Sequence, residues 1–219
     1  MELKKELEKT RLGVSELEKA LGELRKDKER KFDQTVDLII NLQKFDAKKN
    51  QINIFVNIPF KIKEKKICAF LETENKAVET ITPEQFKKYL DKKALKKLVK
   101  NFDFFIAQAS LMPKVATTFG RVLGPAGKMP SPQLGIISDA NEKEISEIKK
   151  KINNNIKIRI KESSIKLAIG KQSMKNEEVI ENILTVYNSI LKAVPKDKEN
   201  IKNIELKLTM TKPQKIIIR

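Results

Sequence analysis

Strand patterning changes character twice along this chain, and no other feature constrains the fold as tightly. Towards both ends, apolar and polar residues alternate. In the first such stretch Phe32, Val36, Leu38, Ile40 and Leu42 fall on one side and Asp33, Thr35, Asp37 and Asn41 on the other. In the second, Ile52, Ile54, Val56, Ile58 and Phe60 oppose Asn53 and Asn57. The alternation returns with Ile156, Ile158 and Ile160 against Lys157, Arg159 and Lys161, then with Ile165, Leu167 and Ile169 against Lys166. A last strand sets Ile204, Leu206, Leu208 and Met210 against Glu205, Lys207 and Thr209. Between these regions the apolar runs are unbroken, from Ile67 to Leu71 and from Phe102 to Ala107. A period of two describes a strand with one face on a core and one in water, whereas an unbroken run describes a strand covered on both faces. The two kinds call for two differently covered sheets.

The helical segments fit the same division. Leu7, Val14, Leu17, Leu21 and Leu24 recur at helical spacing in the charged first thirty residues, where Ser15 and Glu18 form a capping-box pattern. A second amphipathic helix is predicted from about residue 176 to 194. Each can cover one face of an antiparallel sheet. In the middle of the chain Thr82-Pro83-Glu84-Gln85 opens a helix predicted to reach about residue 100, Ser110 leads into a short helix, and another spans about 142–151. Strands alternating with helices predict a mainly parallel sheet. The expected fold is therefore α+β with two domains. Residues 1–64 and 154–219 build a discontinuous antiparallel two-layer domain, and residues 65–153 form a Rossmann-like α/β domain inserted through the basic crossing at Lys61, Lys63, Lys65 and Lys66.

Charge narrows the partner. Among 219 residues, 46 Lys and Arg against 29 Asp and Glu leave a net charge of +17. That excess points to a polyanion, with nucleic acid first and an anionic membrane surface second. The basic positions lie on strands rather than on one apolar-faced helix, which disfavours the membrane. With no histidine and one cysteine, the chain lacks the usual zinc ligands, a Ser-His-Asp triad and any internal disulfide. No metal, cofactor or catalytic activity is expected. Cys68 lies in the run Ile67–Leu71 and is expected to be a buried, inert thiol. No apolar stretch approaches membrane-spanning length and the first residues do not read as a signal peptide, so a soluble intracellular protein is expected.

Four of the seven glycines and three of the eight prolines fall between Gly120 and Gly135, a density that predicts a shaped surface loop. A phosphate-cradling loop around Gly127-Lys128 is rejected by spacing, because Val122 stands where the first glycine belongs and Met129 where a serine or threonine would bind magnesium. The outward positions Lys157, Arg159, Lys161, Lys166 and Lys207 are expected to form one basic sheet face, with Thr35, Asn53, Asn57 and Thr209 among them. Such a face positions phosphates by charge and reads riboses by hydroxyl, although a merely solvated lysine face has the same pattern. Aromatic residues make up only 5% of the chain. That scarcity argues against base-by-base stacking and for recognition of a folded RNA by shape.

Four segments carry a family resemblance. Lys31-Phe32-Asp33-Gln34-Thr35-Val36-Asp37-Leu38, Leu123-Gly124-Pro125-Ala126-Gly127-Lys128-Met129-Pro130-Ser131-Pro132, Ala168-Ile169-Gly170-Lys171 and Thr209-Met210-Thr211-Lys212-Pro213-Gln214 together resemble the L-one family, the stalk proteins of the large ribosomal subunit. The resemblance is to the archaeal form, which is similar to the eukaryotic L-ten-a protein, and it covers nearly the whole chain. It implies a cytoplasmic ribosomal protein, monomeric when free, whose end-built domain binds large-subunit rRNA and forms the mobile stalk near the exit site, aiding release of deacylated tRNA. Some members also repress translation of their own mRNA. An extraribosomal translational repressor is the alternative it leaves open. The family's RNA contacts map here onto Lys31, Phe32, Thr35, Asp37, Thr209 and Met210. Apart from the resemblance, the glycine-proline loop of the inserted domain is expected to offer a secondary RNA contact through the charges of Arg121 and Lys128. Thr211 is a departure, standing where the family usually has glycine for close backbone approach.

Overall fold

The computed structural model describes residues 13–28, 30–46, 52–75, 77–89, 91–138, 141–160 and 162–216. Among these, the residues up to Ile62 and from Asn154 onward form one compact unit, and Lys63–Asn153 form a second.

The first unit contains α1 (Val14–Arg25), β1 (Thr35–Leu42) and β2 (Ile52–Asn57) from the start of the chain. After the second unit it continues with β7 (Asn155–Ile160), β8 (Ser164–Lys171), α5 (Asn176–Ala193), β9 (Ile201–Leu208) and β10 (Gln214–Ile216). The strands form an antiparallel four-stranded sheet in the order β10-β9-β1-β8 and a separate antiparallel ribbon, β2-β7. Alternation dictates which face is covered. Val36, Leu38, Ile40 and Leu42 of β1 are buried, while Thr35, Asp37, Ile39 and Asn41 between them are only half-buried. Against the buried face lie Leu17, Ala20, Leu21 and Leu24 of α1, spaced i, i+3, i+4 and i+7, and the apolar stripe of α5 from Val179 to Ile190. Each fully buried Leu or Ile adds about 1.5–3 kcal/mol relative to exposure, so this one core carries both helices and sets the strand register.

Three expectations give way at the edges of these elements. Phe32 is 51% exposed and Met210 59% exposed, because both lie beyond the ends of the strands whose inward register they continue. Helix α1 starts after Gly13 without a side-chain cap; Ser15 and Glu18 lie inside it, so the capping-box pattern is not used. The outward basic residues do not share one sheet, since Lys157 and Arg159 belong to the β2-β7 ribbon.

The second unit contains β3 (Ile67–Phe70), β4 (Glu79–Ile81), α2 (Lys92–Asn101), β5 (Phe104–Gln108), α3 (Met112–Ala126), β6 (Ile136–Ile137) and α4 (Glu142–Asn154). Its sheet is wholly parallel, in the order β4-β3-β5-β6. All four residues of β3 are buried. Cys68 and Phe70 join the core under α2 and α3, whereas Ile67 and Ala69 join the core under α4, which is why the run is unbroken. Cys68 is fully buried, and burial, reinforced by Glu79, pushes its thiol up to about 12.

The single helix predicted over 82–100 divides. A 3-10 segment, Pro83–Tyr89, precedes α2, and the Asp91 carboxylate accepts a hydrogen bond from Lys93 N at 3.4 Å as the new N-cap. The glycine-proline loop is also shorter than expected. Residues 120–126 continue α3, because Val115, Phe119 and Leu123 recur at i, i+4 and i+8 and all are buried. Pro125 sits in the last turn, where its missing N–H removes one helical bond, and Gly127 then ends the helix at φ 69°. Gly135 is required for close approach: a Cβ there would lie 3.0–3.1 Å from Ser131 N, Phe105 O and Pro130 Cα.

Candidate nucleic-acid interface

Antiparallel pairing builds the site. The start of β1 lies beside the ends of β8 and β9, so residues 31–35, 171–174 and 209–211 converge at one end of the four-stranded sheet. Gln34 ties them together and is fully buried. Its carbonyl accepts from Gln172 N at 2.8 Å, its Nε2 donates to Gln172 Oε1 at 3.2 Å, and its Oε1 accepts from Met210 N at 3.1 Å. Beside it the Thr209 hydroxyl oxygen accepts from Thr35 N at 3.0 Å. Asp33 receives two hydrogen bonds from Ser173, from N at 3.0 Å and from Oγ at 2.9 Å, and pairs with Lys171 Nζ at 3.5 Å. Burial alone would raise the Asp33 carboxyl, but the Ser173 hydrogen bonds and Lys171 outweigh it and hold the group below the ordinary aspartate value.

This network leaves apolar side chains in water. Val14, Phe32 and Met210 are the exposed large hydrophobic residues among those described, and two of the three flank Gln34. Lys31 is exposed beside Phe32. An arrangement of fixed backbone, protruding apolar groups and neighbouring ammonium groups can meet a folded RNA without reading its bases one by one. Thr211 resolves its departure from glycine. Its backbone is not at positive φ, and its hydroxyl accepts from Leu208 N at 2.9 Å while its own N–H donates to Leu208 O at 3.1 Å. The Thr211 side chain and backbone together close this turn on Leu208.

The outer face of the sheet extends the site, with mixed charge. Asp37 lies opposite Lys207 on β9 and Ala168 on β8, while Ile39 lies opposite Glu205 and Lys166. Lys166 is exposed and Lys207 half-buried, and a shallow depression runs past Asp37, Lys166, Ala168, Lys207 and Pro213. Burial raises the Asp37 carboxyl, and Lys207 offsets that only in part. On the separate ribbon, Lys157 lies 5.3 Å from the centre of the Phe55 ring, and Arg159 pairs in register with Asn53. Burial, with Arg159 adding repulsion, lowers the Lys157 ammonium below the ordinary lysine value. Lys161 lies outside the described residues.

In the inserted unit Arg121 is exposed on α3, but Lys128 is engaged internally. Its ammonium donates to the carbonyls of Val99 at 2.7 Å and Phe102 at 2.6 Å, closing the end of α2. Where the strand order reverses between β3 and β5, a doubly wound sheet offers its ligand crevice. Here Glu72 accepts from Ser110 Oγ at 2.8 Å, a carboxylate where nucleotide phosphates would need donors. Among the described residues no cluster of metal-ligating side chains occurs and no helix is long and apolar enough to cross a membrane.

Sequence reasoning did not single out Gln34, Asp33, Lys171, Gln172 and Ser173 as site residues. One of them carries a sequence signal: Gln34 occupies the apolar register between Phe32 and Val36, and a polar side chain aimed at a core needs partners. The other four required the strand pairing to bring them together.

Comparison with known proteins places the sequence. Residues 24–212 match the model of the ribosomal protein L1p/L10e family. The large ribosomal subunit protein uL1 of Nanoarchaeum equitans is 35% identical, over 91% of this chain and 96% of that protein. The proteins of the same name from Pyrobaculum islandicum, at 32% over 90% of each chain, and Thermoplasma volcanium, at 33% over 92% and 95%, are similar along their length. With its matched segment spanning the sheet end built around Gln34, the chain belongs to the ribosomal protein L1p/L10e family.

Proposed function

We propose that this protein is a constituent of the large ribosomal subunit in the cytoplasm, where its end-built unit binds a folded region of large-subunit rRNA. The convergence of residues 31–35, 171–173 and 209–211 around buried Gln34 carries this reading. Phosphate contacts from Lys31, Lys166 and Lys207 supply affinity, and the rigid turn at Thr209 and Met210 supplies shape selection. The likeness to uL1 proteins supports placing the bound RNA in the mobile stalk near the tRNA exit site, aiding release of deacylated tRNA. The same contact on a similar fold in its own mRNA would repress translation.

Crosslinking in cells followed by sequencing of the bound RNA tests the assignment. Crosslinks from residues 31–35 and 209–211 should map to a single folded region of large-subunit rRNA. Crosslinks that spread over unrelated RNAs, or that come from the β2-β7 ribbon instead, would overturn it.

A further inference from the structure

The inserted unit has two unlike sides. Helices α2 and α3 pack over one core of its parallel sheet, and α4 over the other. Neither α2, with sequence KKALKKLVKN, nor α3, MPKVATTFGRVLGPA, contains an acidic residue, whereas α4 reads EKEISEIKKKINN and mixes both signs. On α2, Lys93, Lys96, Lys97 and Lys100 are all exposed and stand at i, i+3, i+4 and i+7, one stripe of the helix. On the neighbouring α3, Lys114 and Arg121 are exposed seven residues apart. Among the described residues none of these six side chains pairs with a carboxylate. The stripe is held in place from below: Leu95 and Leu98 are buried, and the Lys128 ammonium ties off the helix end.

We infer that the α2–α3 side of the inserted unit is a second, sequence-independent binding surface for the phosphate backbone of an RNA helix. Like charges set a helical turn apart repel one another, so four of them in one row without a paired carboxylate form a surface whose repulsion a bound polyanion would relieve. The row is about 10 Å long at 1.5 Å per residue, enough to meet about three phosphates of one strand. An anionic membrane fits less well. Membrane-surface helices bury an apolar face among lipid headgroups, and the apolar face of α2 is already in the protein core. No exposed aromatic residue interrupts the row, so it tracks a backbone rather than reading bases.

The test uses the full chain and an RNA duplex of unrelated sequence, titrated over a range of salt. The exposed pair Lys96→Gln/Lys97→Gln is compared with Lys143→Gln/Lys150→Gln, which removes the same charge from α4. The α2 pair should lower the slope of log affinity against log salt by about two, near one for each phosphate no longer neutralised, and the α4 pair by well under one. Equal reductions in both variants would reduce the effect to net charge and overturn the inference, as would an unchanged slope. Loss of binding to phosphatidylserine vesicles, with duplex binding intact, would also overturn it in favour of a membrane surface. A thermal melt of each variant confirms that the fold is retained. Selectivity for a large-subunit rRNA fragment over the duplex is read on the same proteins. It should be unchanged by the α2 pair, and it is the quantity on which the function proposed above stands, so the two can fail separately.

Discussion

Replacing Gln34 by leucine separates the order of the contact turn from its chemistry. The side chains are close in volume and the site is fully buried, so the substitution opens little cavity and adds apolar packing. What it removes are the bonds to Gln172 Oε1 at 3.2 Å and from Met210 N at 3.1 Å. The carbonyl bond from Gln172 N and the hydroxyl bond between Thr209 and Thr35 remain. Each of the two missing bonds is worth about 0.5–1.5 kcal/mol net, and a partner left buried without water costs more, so the expected destabilisation is about 1–3 kcal/mol. Urea unfolding followed by circular dichroism should show it as a lower midpoint with an unchanged slope. If RNA binding must then re-order residues 209–211, affinity for the large-subunit fragment should fall by about 5- to 150-fold, the same energy expressed as a binding constant. Affinity for an unrelated duplex at the same salt should stay constant, because the surface charges are untouched. A variant that loses stability by this amount but keeps full selectivity would contradict this account, since the turn's order would then not be what the RNA reads.

Two further outcomes follow from the same geometry. The two aspartates flanking the site should have opposite pH signatures. Asp33 is depressed below its ordinary value of 3.8, so its stabilising contribution is present above about pH 4 and lost as pH falls, and Asp33→Asn should lower stability at pH 7. Asp37 is raised, so its ionisation costs stability as pH rises through its folded value, and Asp37→Asn should increase stability at pH 7. Unfolding free energies of both variants should approach the parent value near pH 2; shifts of the same sign at pH 7 would rule out the opposed roles. In the inserted unit, Gly135→Ala forces a Cβ to within 3.0–3.1 Å of three backbone atoms that cannot rotate away. It should cost about 1–3 kcal/mol and speed hydrogen exchange of the Ala107 amide, which donates to Gly135 O at 2.8 Å; unchanged exchange would show that the loop has room to yield.

The core of both units was legible in the sequence wherever burial repeats at a fixed period. Val36, Leu38, Ile40 and Leu42 follow a period of two, and the unbroken run at Ile67–Phe70 follows from cover on both faces. The same logic misled where an element ends. Phe32 and Met210 sit in the correct register but beyond the hydrogen-bonded strands, where register no longer implies burial. In Gly120–Ala126 the glycines and proline suggested a loop, yet Phe119 and Leu123 gain enough by burial to carry the helix through them.

Composition and local order are written in the chain itself: strong basicity, helices and strands of known facing, and two kinds of sheet. Which residues meet depends instead on the pairing of strands far apart along it. Gln34 bonds to Met210, 176 positions away, and Asp33 to Ser173, 140 positions away. Neither pairing has a local signature, because hydrogen bonds between loops depend on the register of the sheet beneath them. The separation of Lys157 and Arg159 from Lys166 and Lys207 has the same origin: alternation turns all four outward, but the long-range strand pairing of the folded chain assigns them to different sheets.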